Sequence, residues 1–380
     1  MKYKIQLLLF IVIAVTSCKK NASDYESKII GDWVIVDNPK KYDKDGHAYA
    51  IPPGQGNFKV GYSFLENGFY EYKHGFYRQV KASKNQESYA VFLGNHAKYR
   101  IENDSLSLYD IGSDNWNSYK IVSLKSDTLT ILDSEGERAQ FVKRKYNVDQ
   151  SQNFDQIIIS SNGCYGTCPV SSISIQKNGL VLYNGELYSR PIGIYQSSID
   201  ADFFAKIETD FQKANWSSLK SEYRASHTDD ETITITFVKN GKILKTISDY
   251  GNESPTEFCW AYNSLRNLQQ RIKLKLVEKD VSYLDFRAIG FETKNERYTL
   301  EKSESFYLMT LLLNAKVTTA AFEKKYTIEY WGNDVMKKFF SDGRFYQFKL
   351  QNGKLKTLDL GFNFLQQNDL MKRSEVLESE

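Results

Sequence analysis

A large excess of charge of either sign is missing from this sequence. Lysine and arginine contribute 50 of the 380 residues and aspartate and glutamate 47, for a formal net charge of +3 at pH 7. Binding to a nucleic-acid backbone needs a clear surplus of lysine and arginine on one face, so this balance argues against a nucleic-acid partner. Long apolar runs are also missing, because the run over residues 7–15 is shorter than the about 20 residues of a membrane-spanning helix.

Histidine is scarce, and known catalytic signatures are missing from the sequence. The four histidines are scattered and lack the spacing of a metal site; they are His47, His74, His96 and His227. A phosphate-binding Gly-Lys-Ser/Thr loop, a Gly-x-Ser-x-Gly elbow and a His-Glu-x-x-His helix do not occur. We therefore predict a protein that is not an enzyme and has no cofactor.

The first twenty residues have a pattern typical of a secretory signal. Lys2 and Lys4 precede the apolar run, which ends in Thr16-Ser17-Cys18, and this order predicts a signal peptide over residues 1–17. The cysteine directly after small residues resembles a bacterial lipoprotein signal, in which that cysteine becomes the N-terminus and its sulfur carries a diacylglycerol. The resemblance implies that Cys18 is lipidated. The alternative is a plain signal peptide whose removal takes Cys18 with it.

Lipidation of Cys18 implies one partner, the membrane, and a place in the cell. Residues 18–28 are polar and aperiodic and are predicted to be a tether between the lipid and the first domain. Lys19 follows the cysteine instead of aspartate, so the inner-membrane retention signal known from some bacteria is missing. We therefore expect a cell-envelope protein at the outer membrane, facing the periplasm. Such a compartment is oxidising and permits disulfides.

From residue 29 to residue 146, short runs rich in aromatic and β-branched residues are separated by turn residues. Trp33-Val34-Ile35-Val36, Phe69-Tyr70-Glu71-Tyr72 and Thr128-Leu129-Thr130-Ile131-Leu132 are three of seven or eight such runs. No helical period is sustained in this segment. The pattern predicts an all-β domain, either a sandwich or an up-and-down barrel.

Gly31-Asp32-Trp33 at the start of the first run and Arg144 after the last resemble the lipocalin-like pattern. In that family the tryptophan packs across the barrel floor against a basic side chain of the final strand. The resemblance implies a barrel-closing pair of Trp33 and Arg144, for which Lys143 or Lys145 could substitute; an ordinary buried tryptophan is the alternative. Barrels of this size hold one small ligand or are filled by their own side chains, so a small apolar ligand is one expected partner.

Residues 154–276 repeat one order of elements twice. Alternating runs lead into Asn178-Gly179 and again into Asn240-Gly241, and Asn-Gly between alternating runs is the strongest short hairpin signal. A helix follows each hairpin: one is capped by Asp200, and the other begins at the capping box Ser254-Pro255-Thr256-Glu257. This order predicts an α+β domain with a four- or five-stranded antiparallel sheet and two helices on one face.

The segment Gly163-Cys164-Tyr165-Gly166-Thr167-Cys168-Pro169 precedes the first of these hairpins. With the strand and turn that follow, it resembles an uncharacterised domain family that has a Cys-x-Gly-x-Cys-Pro signature and is common in lipoproteins of Bacteroidetes-type bacteria. The resemblance covers nearly all of residues 154–272. It implies no activity, because no function is established for that family.

Three kinds of chemistry fit this motif. The first is a Cys164–Cys168 disulfide, for which Gly166 supplies the bend. The second is thiol redox activity, although an active cysteine usually begins a helix and the residues after Cys168 alternate as a strand. The third is Cu(I) binding with His227 as third ligand, because the motif with a distant histidine resembles the Sco-type copper chaperones. Those chaperones have a parallel βαβ fold, which the hairpins here contradict.

If Cys164 and Cys168 form a disulfide, Cys259 is the one cysteine after Cys18 that remains as a thiol. It falls in the first turn of the second helix, between Phe258 and Trp260, and we predict a buried thiol without a redox role. The competing arrangement joins Cys259 to Cys164 or Cys168.

Residues 277–380 are predicted to form a third domain of the α+β class. The apolar segment 303–313 predicts a buried helix, and alternating runs with turns at Asp342-Gly343 and Asn352-Gly353 predict a meander that covers it. The chain is thus expected to be multidomain, with an all-β, lipocalin-like barrel or sandwich followed by two α+β domains with antiparallel sheets. Its expected role is lipid-anchored, non-catalytic binding of a ligand or another envelope protein. A periplasmic thiol-redox or copper-binding protein is the alternative.

Overall fold

The structure of the chain is a computed structural model, which describes residues 24–37, 59–81, 88–277, 282–284, 287–332 and 335–376. The chain is mostly β and divides into two compact units, Met1–Asn147 and Val148–Glu380. The first unit contains the all-β segment. The second contains both segments that the sequence assigns to α+β domains.

Eight antiparallel strands of the first unit close into a barrel, and neighbouring strands in the sequence are neighbours in the barrel. The strands are β1 Gly31–Asp37, β2 Gly61–Phe64, β3 Phe69–Val80, β4 Tyr89–Glu102, β5 Ser105–Asp110, β6 Asn115–Leu124, β7 Thr128–Leu132 and β8 Arg138–Lys143. The barrel closes where β1 pairs with β8, with Trp33 opposite Lys143 and Ile35 opposite Phe141. Of the two predicted architectures, the barrel is confirmed and the sandwich is wrong.

Alternation along each strand decides which side chains fill the barrel. In β2, Tyr62 and Phe64 belong to the barrel core, while Ser63 between them points to the opposite face. The β4–β5 turn is short, and Asn103 in it has a φ of 54°, the left-handed conformation that such a tight turn requires. Aromatic residues at alternate positions therefore supply much of the core.

A short helix, α1 (residues 24–29), precedes the barrel. Tyr25 packs against the barrel core, and Ile29 is fully buried in it. The sequence predicts a tether over residues 18–28, but residues 24–28 belong to this helix. The reason is that Tyr25 and Ile29, four residues apart, share the helix face that packs on the barrel. Residues 18–23 lie outside the described residues.

The second unit contains an eight-stranded sheet in the order β13-β15-β14-β9-β10-β11-β12-β16. Its strands are β9 Gln156–Ser161, β10 Ser171–Gln176, β11 Leu180–Gly185, β12 Gly193–Ser198, β13 Glu222–Arg224, β14 Thr232–Lys239, β15 Lys242–Tyr250 and β16 Lys275–Leu276. Helices α2 (Ala201–Lys213) and α3 (Thr256–Arg266) share an apolar core with one face of this sheet. The predicted count of four or five strands is wrong, because β13 and β16 are too short to leave an alternating pattern and β12 is largely polar.

A second eight-stranded sheet follows in the same unit, in the order β19-β23-β22-β21-β20-β17-β18-β24. Its strands are β17 Gly290–Glu292, β18 Glu296–Thr299, β19 Lys316–Thr318, β20 Tyr326–Gly332, β21 Val335–Ser341, β22 Phe345–Lys349, β23 Leu355–Asp359 and β24 Glu375–Val376. The helices of this part are α4 Lys302–Leu312 and α5 Phe364–Gln367. Strands β20 to β23 form the predicted meander, and α4 coincides with the predicted buried helix to within one residue.

Helix α4 lies against both sheets of the second unit. Its Ser303 Oγ is 2.8 Å from Thr236 Oγ1 of β14, and the Ser303 amide donates to Thr234 Oγ1 at 3.1 Å. Its apolar side chains belong to a core that also includes Ile158 of the first sheet and Phe339 of the second. The segments 154–276 and 277–380 therefore share one core within one compact unit.

Candidate functional site

One end of the barrel is closed by a buried tryptophan. Trp33 is fully buried, and its Nε1 donates to the carbonyl of Ile29 at the end of α1, at 2.6 Å. The Nζ of Lys143 lies 5.2 Å from the centre of the indole and donates to the carbonyl of Lys28 at 2.9 Å. Burial lowers the pKa of Lys143. This lysine therefore contacts both the last turn of α1 and the tryptophan that closes this end of the barrel.

The basic side chain over Trp33 is Lys143, in the position that the resemblance assigns first to Arg144. Lys143 lies directly opposite Trp33 in the β1–β8 pair, so the two side chains share the inward face. Arg144 follows by one residue and therefore belongs to the opposite face; its backbone amide donates to the carbonyl of Asp32 at 2.7 Å. The pair that closes the barrel is thus Trp33 and Lys143.

Three inward-facing tyrosine rings, in the part of the barrel next to Trp33, keep accessible surface. Tyr62, Tyr72 and Tyr119 pack against the barrel core but are only partly buried. The rings of Tyr62 and Tyr72 stack with centroids 5.4 Å apart. Because these side chains point inward, the surface that they expose faces the interior of the barrel. The barrel is therefore packed at the Trp33 end, and we call the end that lies beyond these rings the tyrosine-lined end.

Two carboxylates face the tyrosine-lined end. Odd-numbered strands run in the same direction, so Asp110 at the end of β5 and Asp133 just after β7 lie at the end opposite the start of β1. Alternation places both on the inward face. Oδ1 of Asp110 accepts from the amide of Gly112 at 2.7 Å, and Oδ1 of Asp133 accepts from the amide of Glu137 at 2.9 Å. Each carboxylate is held in place by the turn that follows its strand.

The negative charge of Asp110 acts on four tyrosine hydroxyls of the barrel interior. Burial raises the pKa of Tyr62, Tyr70, Tyr72 and Tyr119, and the negative charge of Asp110 raises the pKa of all four further. The four phenols therefore stay protonated at neutral pH. They present π faces and hydroxyl groups to the interior of the barrel, beside a fixed negative charge.

The cysteine motif forms a loop over residues 162–170, between β9 and β10, which we call the motif loop. Cys164 and Cys168 are joined by a disulfide, with their Cα atoms 5.6 Å apart. Gly166 between them has a φ of 153°, which favours glycine. Tyr165 is 88% exposed, and its amide donates to the carbonyl of Asp229 at 3.2 Å. Of the three chemistries that fit the motif, the disulfide is the one present in the structure.

The described surroundings of Cys168 and His227 lack the features that thiol redox activity and copper binding usually need. A strand follows Cys168, so no helix dipole lies behind its sulfur. His227 Nε2 is 3.1 Å from Oδ2 of Asp230. Within the described ranges, no group of three or more His, Cys, Asp or Glu side chains is arranged to hold a metal ion. Copper binding by Cys164, Cys168 and His227 would require reduction of the disulfide.

Both hairpins, helices α2 and α3 and the motif loop lie in one stretch of about 115 residues. Residues 155–269 match DUF6438, a domain of unknown function. The DUF6438 segment contains Cys164, Cys168 and His227, and it includes neither the barrel nor α4. Comparison with curated proteins finds no match for the chain.

The third cysteine of the DUF6438 segment, Cys259, is buried in a polar cluster at the start of α3. Its Sγ lies 3.2 Å from Ser254 Oγ and 3.8 Å from Oδ2 of Asp249. Asp249 is fully buried and accepts from Ser254 Oγ and, at 2.8 Å, from the hydroxyl of Tyr262. Burial raises the pKa of Tyr262 well above its usual value. Cys259 is thus part of the packing between α3 and β15, and no disulfide joins it to the motif loop.

The predicted lipidation site, Cys18, lies outside the described residues. Among the helices that the structure describes, none has the length and apolar character needed to cross a membrane.

Sequence reasoning missed the residues that line the interior towards the tyrosine-lined end of the barrel. Alternation alone assigns Tyr62, Tyr72 and Tyr119 to the inward face of their strands. It cannot tell which end of the barrel each reaches, because that depends on how far each strand is shifted against the next. Asp110 was missed because Asp is common in turns, so its position after a predicted strand indicates an ordinary turn residue.

Proposed function

We propose that the protein is a lipid-anchored component of the cell envelope that binds a small ligand in a lipocalin-like barrel and catalyses no reaction. In this proposal Cys18 carries the lipid, and the barrel is the first folded part after it. The membrane is one partner, and a small ligand with apolar surface is the other.

The contrast between the two ends of the barrel is the observation that carries the proposal. Trp33 and Phe64 near α1 are buried, whereas Tyr62, Tyr72 and Tyr119 keep accessible surface in the interior. An eight-stranded barrel is either filled by its own side chains or holds one small ligand. The side chains of this barrel fill only part of its interior, which supports a barrel that holds one small ligand. Aromatic walls with a few polar groups are usual in ligand sites.

The proposed location is the outer membrane, on its periplasmic side. The basic, apolar and small-residue order of residues 1–17 supports export, and Lys19 supports the outer membrane over the inner one. The Cys164–Cys168 disulfide is consistent with an oxidising compartment. Several acyl chains on one cysteine satisfy the need for two signals in stable anchoring.

The binding proposal can be tested with a neutral fluorescent probe. N-phenyl-1-naphthylamine is titrated into the purified mature protein, and we expect saturable, blue-shifted fluorescence with one site per chain. Ala139→Trp places a large ring on the inward face near the tyrosine-lined end, because Ala139 packs against the barrel core. This variant should lose at least tenfold in affinity.

The matched control is Gln140→Trp, which adds the same ring to the neighbouring residue of β8, on the outward face. It should bind the probe as the parent does. Absence of saturable binding to the parent, or equal binding by both variants, would contradict a ligand site inside the barrel.

A thiol-redox or copper role of the DUF6438 segment is the second candidate. It is favoured by the contact between the motif loop and the loop that carries His227, made by the Tyr165 amide and the Asp229 carbonyl. Thiol counting on the mature protein separates it from a structural disulfide. A structural role predicts one thiol, Cys259, that reacts only after denaturation. Two thiols that react quickly in the native protein and are protected by Cu(I) would establish the second candidate instead.

A further inference from the structure

The inward tyrosine rings form a continuous aromatic wall that leads to a carboxylate at the tyrosine-lined end. The hydroxyl of Tyr70 donates to the carbonyl of Tyr109 at 3.0 Å, which places this ring next to Asp110. Tyr62 lies 5.9 Å from Tyr70 and 5.4 Å from Tyr72, measured between ring centroids. The π faces and the negative charge therefore belong to one surface.

One oxygen of each inward carboxylate is available to a ligand. Among the described residues, none donates a hydrogen bond to Oδ2 of Asp110 or Asp133, whereas the Oδ1 atoms bind turn amides. At this end the described inward face has one basic side chain, Arg78, which follows inward-facing Phe76 by two residues in β3. Arg78 is exposed at the rim and donates to the carbonyls of Ile111 and Gly112. Two carboxylates against one guanidinium leave the described inward surface at this end with an excess of negative charge.

We propose that the ligand of the barrel is a small organic cation, either a quaternary ammonium or a protonated amine with apolar substituents. This inference rests on the proposed function and specifies its ligand. A cation gains from the faces of the tyrosine rings, because the ring quadrupole is negative there. Asp110 and Asp133 supply the opposite charge, and they repel an anion of the same size.

The test compares three probes that share a phenyl group and differ in charge. Benzyltrimethylammonium, benzyl alcohol and benzoate each compete with bound N-phenyl-1-naphthylamine, and direct calorimetric titration of each probe gives its affinity. We expect benzyltrimethylammonium to bind about tenfold more tightly than benzyl alcohol, and benzoate to bind more weakly than either.

Three variants assign the preference to Asp110. Asp110→Asn keeps an oxygen acceptor for the Gly112 amide but removes the charge, and it should lose about tenfold in affinity for the cation with unchanged affinity for the neutral dye. Asp110→Glu keeps the charge and should retain the preference. Asp127→Asn is the matched control, because Asp127 is an exposed carboxylate of the β6–β7 turn, at the end that Trp33 closes.

The outcomes separate this inference from the proposed function. If the dye binds and benzoate competes as well as benzyltrimethylammonium, the cation inference is wrong and the ligand site remains. If the dye does not bind at all, the ligand site itself is wrong. Equal losses in Asp110→Asn and Asp127→Asn, or equal loss of dye and cation in Asp110→Asn, would overturn the assignment of Asp110 as the counter-charge.

Discussion

Lys302 and Glu186 form a buried ion pair, with 2.8 Å between Nζ and Oε1. The exposed fractions of the two side chains are 2% and 5%, and Nζ also donates to the carbonyl of Ser161 at 2.9 Å. Lys302 begins α4, outside the DUF6438 segment, whereas Glu186 and Ser161 lie within it. The pair therefore connects the start of α4 to the first sheet of the second unit, next to the motif loop.

Removal of this lysine should destabilise the second unit strongly. We expect Lys302→Met to lower the free energy of unfolding by about 3 kcal/mol, because Glu186 stays buried and, among the described residues, keeps one ion-pair partner, Arg287, 2.9 Å from Oε2. Chemical denaturation followed by circular dichroism measures the change. Lys338→Met is the control, since Lys338 pairs with Glu329 at the surface at 3.1 Å, and its loss should cost less than about 1 kcal/mol. Equal costs in the two variants would contradict a special role for the buried pair.

The contact between Lys143 and Trp33 gives a second prediction. Lys143→Met should lower the stability of the barrel by about 1–2 kcal/mol, because it removes the cation over the indole and the bond to the Lys28 carbonyl. Trp33→Ala should cost about 3–5 kcal/mol through the cavity that it leaves. Thermal unfolding of both variants is compared with that of Lys145→Met, an exposed lysine two residues on, which should change little. A cost for Lys145→Met as large as that for Lys143→Met would refute the assignment.

Stability should fall in alkali as buried tyrosines ionise. Burial raises the pKa of Tyr183 and of Tyr307 to about 12, against about 10 in an unfolded chain. The folded state thus holds these protons more tightly, so the stabilisation is complete below pH 10 and is lost as the pH rises towards 12. The loss is about 2 kcal/mol for each tyrosine by pH 12. Denaturation curves from pH 9 to 12 test this: Tyr183→Phe should flatten the decline, and exposed Tyr165→Phe should leave it unchanged.

The lipid anchor gives a prediction about location in the cell. Cys18→Ala should leave the protein soluble or with its signal uncleaved, because no sulfur remains to carry the diacylglycerol. Membrane fractionation and incorporation of labelled palmitate report the change. Ser17→Ala keeps a small residue before the cysteine and should behave as the parent does. Membrane association and labelling that persist in Cys18→Ala would exclude this anchor.

Local patterns predicted the elements well where turn chemistry and alternation agree. Asn178-Gly179 and Asn240-Gly241 mark tight turns in which Gly179 and Gly241 have φ values of 87° and 72°. Asp200 caps α2 through the amide of Phe203 at 2.7 Å. These features depend on residues a few positions apart, so the sequence contains all the information needed to predict them.

The sequence alone determined three features: the order of strands along the barrel, the two hairpin–helix repeats and the buried helix α4. It could do so because alternation, capping and turn residues act over short distances. Tertiary structure decided the rest. The strand register placed Lys143, and not Arg144, opposite Trp33, and the same shifts brought Tyr62, Tyr72, Tyr119 and Asp110 near one another on the inward face of the barrel. Such groupings depend on contacts between residues far apart in the chain, because a shift of one residue reverses the face of every side chain in a strand.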